Sequence, residues 1–292
     1  VSDWLIVGLI AALIGGVLWW LLIHTEGVLL GQRVVTALYD LYAARYDRIK
    51  GNDDVDEHVF IAQPLLDAIA PQTDPFVIDV ACGTGRIALA LCQHARFEGV
   101  ILSVDASLRM LQVAADKLAA NHFEDYALFA QMDAAHLHIA DASADVVTCM
   151  EALEFTSDPA QALHELARVL RAGGLLLTTL RQNAPLVPRV WSQAQMAQAL
   201  AAAGFVDVQF RRWQHDYQQV WARKAGTSQP IGAHPPEDAL RCPRCSHVGF
   251  TFTGEAYACE NCQRRARQSG AVLQLLPPHG RPQRGHSPHP MP

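Results

Sequence analysis

Residues 77–89, VIDVACGTGRIAL, permit few folds. Val77 to Val80 suit a buried strand, a glycine-rich turn follows at Cys82–Gly85, and an apolar run at helical spacing begins directly after it. A strand that passes through such a turn into a helix opens a parallel βα unit. The alternation continues, with strand candidates at 76–81, 99–104, 126–131, 145–150, 174–180, 205–211 and 216–223. Helices fit between the early ones, for example at 107–120 and 159–171. The pattern predicts an α/β fold, a doubly wound and mostly parallel sheet with helices on both faces. Only Arg212 to His215 separate the last two strands, too little for a parallel crossover, so they form an antiparallel hairpin.

A second constraint lies at the start of the sequence. Trp4 to Ile23 is a run of 20 residues without a charge, about the length that crosses a ~30 Å hydrocarbon layer. Trp4, Trp19 and Trp20 stand near its ends, where indoles favour the membrane interface. A basic leader and a small-residue cleavage site are absent, so the run reads as a retained anchor rather than a cleaved signal. Asp3 precedes it; Arg33, Arg45, Arg48 and Lys50 follow. That asymmetry predicts a single-pass protein of the inner (cytoplasmic) membrane with its soluble part in the cytoplasm. The formal net charge of −6 gives no electrostatic basis for binding nucleic acid.

The expected organisation is an anchor at 1–24, an amphipathic connecting helix and lid at 25–59, and a main domain at 60–225. A Gly/Pro/Ser-rich linker follows at 226–238, then a compact cysteine-bearing unit at 239–278 and a disordered tail at 279–292.

In an open parallel sheet, ligands bind beyond the carboxyl ends of the strands. Gly83 and Gly85 let a ligand approach the backbone closely, and the helix that follows directs its free N–H groups toward it. The dinucleotide pattern Gly-x-Gly-x-x-Gly is incomplete, because position 88 is alanine. The acids separate the alternatives. Asp105 closes the second strand and can accept both hydroxyls of a ribose. Asp133 closes the third and can accept from an adenine amine, while Asp79 lies just ahead of the loop, near where an ammonium would sit. Such acceptors suit a ligand with a ribose, an amine and a sulfonium, and suit a pyrophosphate poorly. Asp105 can also be read as a helix cap, and Asp133 and Asp79 as structural acids.

VIDVACGTGRIAL, SVDASLRMLQVAADKL, QMDAAHL, DVVTCMEALEFTSDPAQALHELARVLRAGGLLLTTL and the late AAAGFVDVQF together resemble the class I S-adenosylmethionine-dependent methyltransferases. LYDLYAARYDRIK resembles the segment that lids the cofactor in many of them. The resemblance covers about residues 36–224. It implies the strand order 3-2-1-4-5-7-6 with strand 7 antiparallel. It also implies cofactor binding by Asp79, Cys82, Gly83, Gly85, Asp105, Ala106, Asp133, Ala134 and Met150, with Met150 and Glu151 bordering the methyl-transfer site. Two departures stand out. Phe155 replaces a histidine found in many relatives, and Ala172-Gly173-Gly174 replaces the usual Pro-Gly-Gly turn. No catalytic base is assigned; His136 and His138 are candidates only by their place after the third strand. An anchored enzyme without a large substrate insertion suggests a small lipophilic acceptor, a quinone precursor or a lipid. The alternative is a methyltransferase-like scaffold that serves a partner in a membrane complex.

Cys242, Cys245, Cys259 and Cys262 form two C-x-x-C pairs in CPRCSHVGFTFTGEAYACENC. Four thiolates at this spacing predict a closed structural Zn2+ site, because the unit has few large apolar residues of its own. The unit resembles the zinc ribbons that activate tRNA and protein methyltransferases, but departs from them at Arg265-Ala266-Arg267 and Ser269-Gly270-Ala271.

Overall fold

The computed structural model describes residues 2–50, 57–182, 190–254 and 256–276. The tail at 279–292 and most of RQNAPLVPRVW therefore lie outside the described residues. Helix α1 (Ser2–Trp19) runs on through a wider turn at Trp20–His24. Trp4–Leu22 is long and apolar enough to cross a membrane, and none of it is buried against the rest of the protein.

A short turn at Val28–Leu30 leads into α2 (Gln32–Tyr42) and α3 (Tyr46–Lys50). A helical turn at His58–Ala62 and α4 (Gln63–Ile69) precede the sheet. The sheet strands are β1 (Phe76–Val80), β2 (Val100–Asp105), β3 (Ala127–Gln131) and β4 (Ala144–Cys149). They continue with β5 (Leu170–Arg181), β6 (Phe205–Arg212) and β7 (Tyr217–Lys224). Helices α5 (Arg86–Cys92), α6 (Leu108–Ala120), α7 (Pro159–Val169) and α8 (Gln193–Ala202) lie between them. The order is β3-β2-β1-β4-β5-β7-β6, with β7 antiparallel to both β5 and β6, as the sequence and its resemblance lead one to expect.

Burial explains the strand compositions. Every residue of β1 and β4 is buried, as befits central strands covered on both faces. Edge strand β6 leaves most of its residues exposed. Helices α6, α7 and α8 start on side-chain caps. Ser107 Oγ accepts from Met110 N at 3.1 Å, and Asp158 accepts from Ala160 N and Gln161 N ahead of Pro159. Between β1 and β4 the strand order reverses, which opens a crevice at their carboxyl ends.

The cysteine unit is joined to this sheet. Strands β8 (Phe250–Phe252) and β9 (Tyr257–Cys259) form a hairpin, and β10 (Arg267–Ser269) and β11 (Val272–Gln274) another. β11 lies parallel to β3, pairing Val272 with Phe129, Leu273 with Ala130 and Gln274 with Gln131. The sheet therefore has nine strands, two more than the seven expected. The physical reason is the free edge of β3, whose N–H and C=O groups need partners. Leu273 and Leu275 enter the same buried cluster as Met132 and Ala134, together with Cys242 and Cys259. Residues 226–238 run back against the sheet, where Ile231 N and Gly232 N each donate to the Asp145 carboxylate at 2.9 Å.

Candidate active site

The crevice at the reversal is an open cavity of ≈ 830 Å³. One wall is the loop after β1, with Cys82, Gly83 and Thr84; a second is the end of β2, with Asp105, Ala106 and Ser107. Met132 and Ala134 follow β3, and Met150, Glu151 and Ala152 follow β4. Helix α2 covers the opening with Val35, Thr36 and Tyr39, and Tyr46 closes it from α3. The lid expected from LYDLYAARYDRIK thus lies over the crevice, held by its acids. Asp40 Oδ1 accepts from Ser107 Oγ and from Arg109 N, the latter at 3.2 Å. Asp47 accepts from Thr84 Oγ1 and pairs with Lys117 Nζ at 2.6 Å.

Six of the nine expected cofactor residues line this cavity: Cys82, Gly83, Asp105, Ala106, Ala134 and Met150. Asp79, Gly85 and Asp133 do not, each for a visible reason. Gly85 sits at φ +74°, and a Cβ there would stand 2.9 Å from Ala114 Cβ, so its bareness lets α5 pack on α6. Asp133 Oδ1 is turned back to accept from Ala135 N at 3.0 Å. Asp79 is buried beneath the loop, where Thr148 Oγ1 donates to its Oδ1 at 2.6 Å. Its Oδ2 has no hydrogen-bond partner among the described residues. Burial raises the Asp79 pKa to about 7, against the opposing pull of the Thr148 hydroxyl.

Asp105 is held rigidly, with Oδ1 accepting from Ser107 N at 2.8 Å and Oδ2 from Gly83 N at 2.9 Å. Burial raises its pKa, and these two N–H groups oppose the rise. Each oxygen keeps a lone pair for a further donor. Gly83, at φ +54°, has no protein atom within 4 Å of where a Cβ would stand. A ribose diol fits Asp105, a flat base fits the apolar slot between Ala106, Met132 and Ala134, and an amine fits the unpartnered oxygen of Asp79. The buried thiols Cys82 and Cys149 have pKa values raised by burial, as packing groups do.

Three side chains that the sequence did not single out complete the β4 end. Arg86, at the start of α5, pairs with Glu57 and with Glu151 at 3.1 Å, and Tyr46 lies against them. Farther out, behind Phe155, lies a second polar group. Tyr217 OH donates to Glu154 Oε1 at 2.6 Å. Arg181, at the end of β5, stands 3.8 Å from Glu154 and 3.7 Å from Glu26. Tyr39 OH donates to Glu26 Oε2 at 2.8 Å. Burial raises the pKa of Glu154. Arg181 Nε and Nη1 are buried without a hydrogen-bond partner among the described residues. These residues lie far apart in sequence, and no local motif signals them. His136 and His138 do not line the cavity; His138 is turned toward the cysteine unit, and burial lowers its pKa to about 4.

The four cysteine sulfurs lie within 4.8 Å of one another, with Cys242 to Cys262 and Cys245 to Cys259 each at 3.6 Å. A tetrahedron with Zn–S bonds of ~2.3 Å has edges of about 3.8 Å, so the cluster matches the dimensions of a four-thiolate site.

Comparison with known proteins agrees with this geometry. The family described as a methyltransferase domain matches residues 78–178. The demethylmenaquinone methyltransferase of Lactiplantibacillus plantarum is 31% identical over 159 residues, covering 54% of this chain and 67% of that one. The ubiquinone/menaquinone biosynthesis C-methyltransferase UbiE of Hahella chejuensis is 31% identical over 143 residues, covering 49% of this chain and 57% of its own length. Among solved structures, the [4+2]-cyclase SpnF matches with a TM-score of 0.57 at 21% identity, covering 68% of this chain and 98% of that one. A SAM-dependent methyltransferase from Aquifex aeolicus matches at 0.50 and 19%, covering 59% and 94%. A cyclase among these neighbours shows that the fold alone does not fix the reaction. The sequence relationship does: the chain belongs to the class I S-adenosylmethionine-dependent methyltransferases and is an enzyme of that kind.

Proposed function

We propose that this enzyme is anchored in the inner membrane and transfers the methyl group to a lipophilic, quinone-type ring acceptor. The observation that carries this reading is the route from the apolar helix to the cavity. Three residues after Thr25, Val28 is already packed against Val35 and Phe155, and Phe155 lines the cavity. An anchored span therefore holds the mouth of the site within a few residues of the bilayer surface. Arg33, Arg45 and Arg48 follow the span and favour a cytoplasmic body. An apolar ring fits the side walled by Met150, Val35 and Phe155, and the Arg181 guanidinium, 5.6 Å from the Phe155 ring, suits an oxygen on such a ring. The two relatives named above are called quinone methyltransferases, which supports the same acceptor class.

S-adenosylmethionine, when bound, supplies a methyl group on an already activated sulfur. The protein's work is to align and to exclude water, which together supply up to about 7–11 kcal/mol in well-oriented cases. By this reading Asp105 holds the ribose, Gly83 passes the methionyl backbone, and Asp79 takes the amine. Asp133, which does not line the cavity, takes the base only once its side chain turns inward. The cysteine unit holds one structural Zn2+ and acts in cis on the β3 edge.

The test is to incubate membranes from cells expressing the full chain with methyl-labelled S-adenosylmethionine and a prenylated 1,4-naphthalenediol that has a free ring carbon. Carbon-bound label in the extracted lipid supports the proposal. Turnover confined to water-soluble acceptors, or recovery of the chain in the soluble fraction, overturns it.

A further inference from the structure

The helical stretch that runs from α2 into α3 has two unlike faces. Val35, Thr36, Tyr39 and Tyr46 line the cavity. The acids of this stretch, Asp40 and Asp47, are bonded to the body of the protein through Ser107, Arg109, Thr84 and Lys117. Arg33, Ala37, Leu41, Arg45 and Arg48 are exposed instead. They follow one another at intervals of three or four residues, so they share the outer side of the helix. Leu41 is 73% exposed. Arg33, Arg45 and Arg48 form no hydrogen bond or ion pair among the described residues. The outer face is thus basic and apolar, while the acids are spent on the inner one.

The apolar span ends close by. Its wider turn stops at His24 and α2 starts at Gln32, and residues 25–31 reach at most about 25 Å even when extended. Leu29 and Leu30 in that connection are also exposed. We propose that the outer face of the lid binds the anionic surface of the bilayer, and that lipid headgroups thereby hold the lid closed over the cavity. The three guanidinium groups meet phosphates, and Leu41 enters between the headgroups. Opening the lid frays the helix and scatters the row of arginines, so the closed state is the one that lipid favours. The proposal rests on the chain being anchored by α1, and adds to it a lipid class and a control on the cover of the site.

Hydrogen exchange of the full chain in nanodiscs tests it, in phosphatidylcholine alone and in an equal mixture with phosphatidylglycerol. An arginine near an anionic surface contributes about a fivefold preference. Amides of 33–48 should therefore exchange at least about 10-fold more slowly in the mixture, while those of β1 do not differ. Salt at about 1 M, where fields reach only about 3 Å, removes the difference. The variant Arg33→Gln/Arg45→Gln/Arg48→Gln loses it, and Arg33→Lys/Arg45→Lys/Arg48→Lys keeps it, because lysine retains the charge. If the glutamine variant does not fold, as judged by circular dichroism, the salt arm on wild type carries the test. Equal exchange in the two lipids overturns the proposal; that is the result expected if Asp53, Asp54 and Asp56, which lie outside the described residues, neutralise the arginines. Slowing that survives in the glutamine variant or in high salt overturns it too. Failure to co-elute with either disc removes the anchor and the proposal together, whereas equal exchange in a chain that does co-elute removes the proposal alone.

Discussion

The two ends of the cavity are built differently. The end walled by β1, β2 and β3 takes its groups from the first residues after each strand: Gly83, Asp105 and Ala106, and Met132 with Ala134. The end beyond β4 draws on Glu26 and Tyr39 from the lid, Glu154 from the loop after β4, Arg181 from β5 and Tyr217 from β7. The first end is local in sequence and braced by backbone N–H groups; the second is assembled from side chains that meet only after folding. By the proposed function the first kind of construction meets the cofactor and the second meets the acceptor.

The largest effect expected to sharpen this contrast comes from the proposed Zn2+. Structural zinc contributes on the order of 10–16 kcal/mol in ribbon-sized units. Because β11 pairs with β3, stripping the metal with a chelator should loosen the β3 wall of the cavity and leave the β5–β7 hairpin intact. Hydrogen exchange should show protection lost in 127–131 and 267–275 and kept in 175–181. Uniform loss across both regions would break the comparison.

Next, Asp105→Ala removes the side chain that braces Gly83 N and Ser107 N and that, by the proposed function, holds the ribose. Losing two or more charge-assisted hydrogen bonds costs about 2–4 kcal/mol. S-adenosylmethionine affinity should fall about 30- to 1,000-fold by calorimetry, while binding of a ring acceptor changes little. An unchanged cofactor affinity would remove Asp105 from the site.

A smaller effect is carried by pH. Folded Asp79 keeps its proton up to about pH 7, whereas an unfolded aspartate gives it up near its ordinary value of 3.8. Between those values the folded state holds the extra proton, so stability falls as pH rises through the window and levels off above it. The slope is at most about 1.4 kcal/mol per pH unit. Melting temperatures of the cofactor-free protein from pH 4 to 8 should show this decline, and Asp79→Asn should flatten it. Bound ammonium favours the ionised form, so cofactor affinity should rise over the same range. A slope that survives Asp79→Asn assigns the titration elsewhere.

The smallest effect belongs to the far end. Tyr217→Phe deletes the hydrogen bond to Glu154, worth about 1 kcal/mol. It should raise the acceptor KM about fivefold without altering S-adenosylmethionine affinity. An equal effect on both ligands would mean that the two ends are not independent.

The seven strands were readable because each carries its own signal, while their order followed from the resemblance. Mostly apolar runs, each interrupted by one aspartate, mark β1 and β4, and the four residues between β6 and β7 force a hairpin. Asp105 was readable because a single acid closes an otherwise apolar strand. Gly85 was half-readable: its bareness is real, but it serves Ala114 and not the ligand. Asp133 and Ala134 are adjacent, yet only Ala134 faces the cavity, since an Asx turn draws the carboxylate onto Ala135 N. A one-residue difference of that kind depends on local hydrogen bonding that no residue type reveals.

By itself the sequence determined the strand and helix periods, the glycine turn that starts α5, the twin cysteine pairs and an apolar run of membrane-crossing length. These are properties of neighbouring residues, and short-range sterics and hydrophobic periodicity suffice to specify them. Tertiary structure alone decided that the cysteine unit would finish the β3 edge, that Asp40 and Asp47 would fasten the lid, and that Arg86 would meet Glu57 and Glu151. Those contacts join residues tens to more than a hundred positions apart. Their partners are chosen by which edges and charges remain unsatisfied once the sheet has closed.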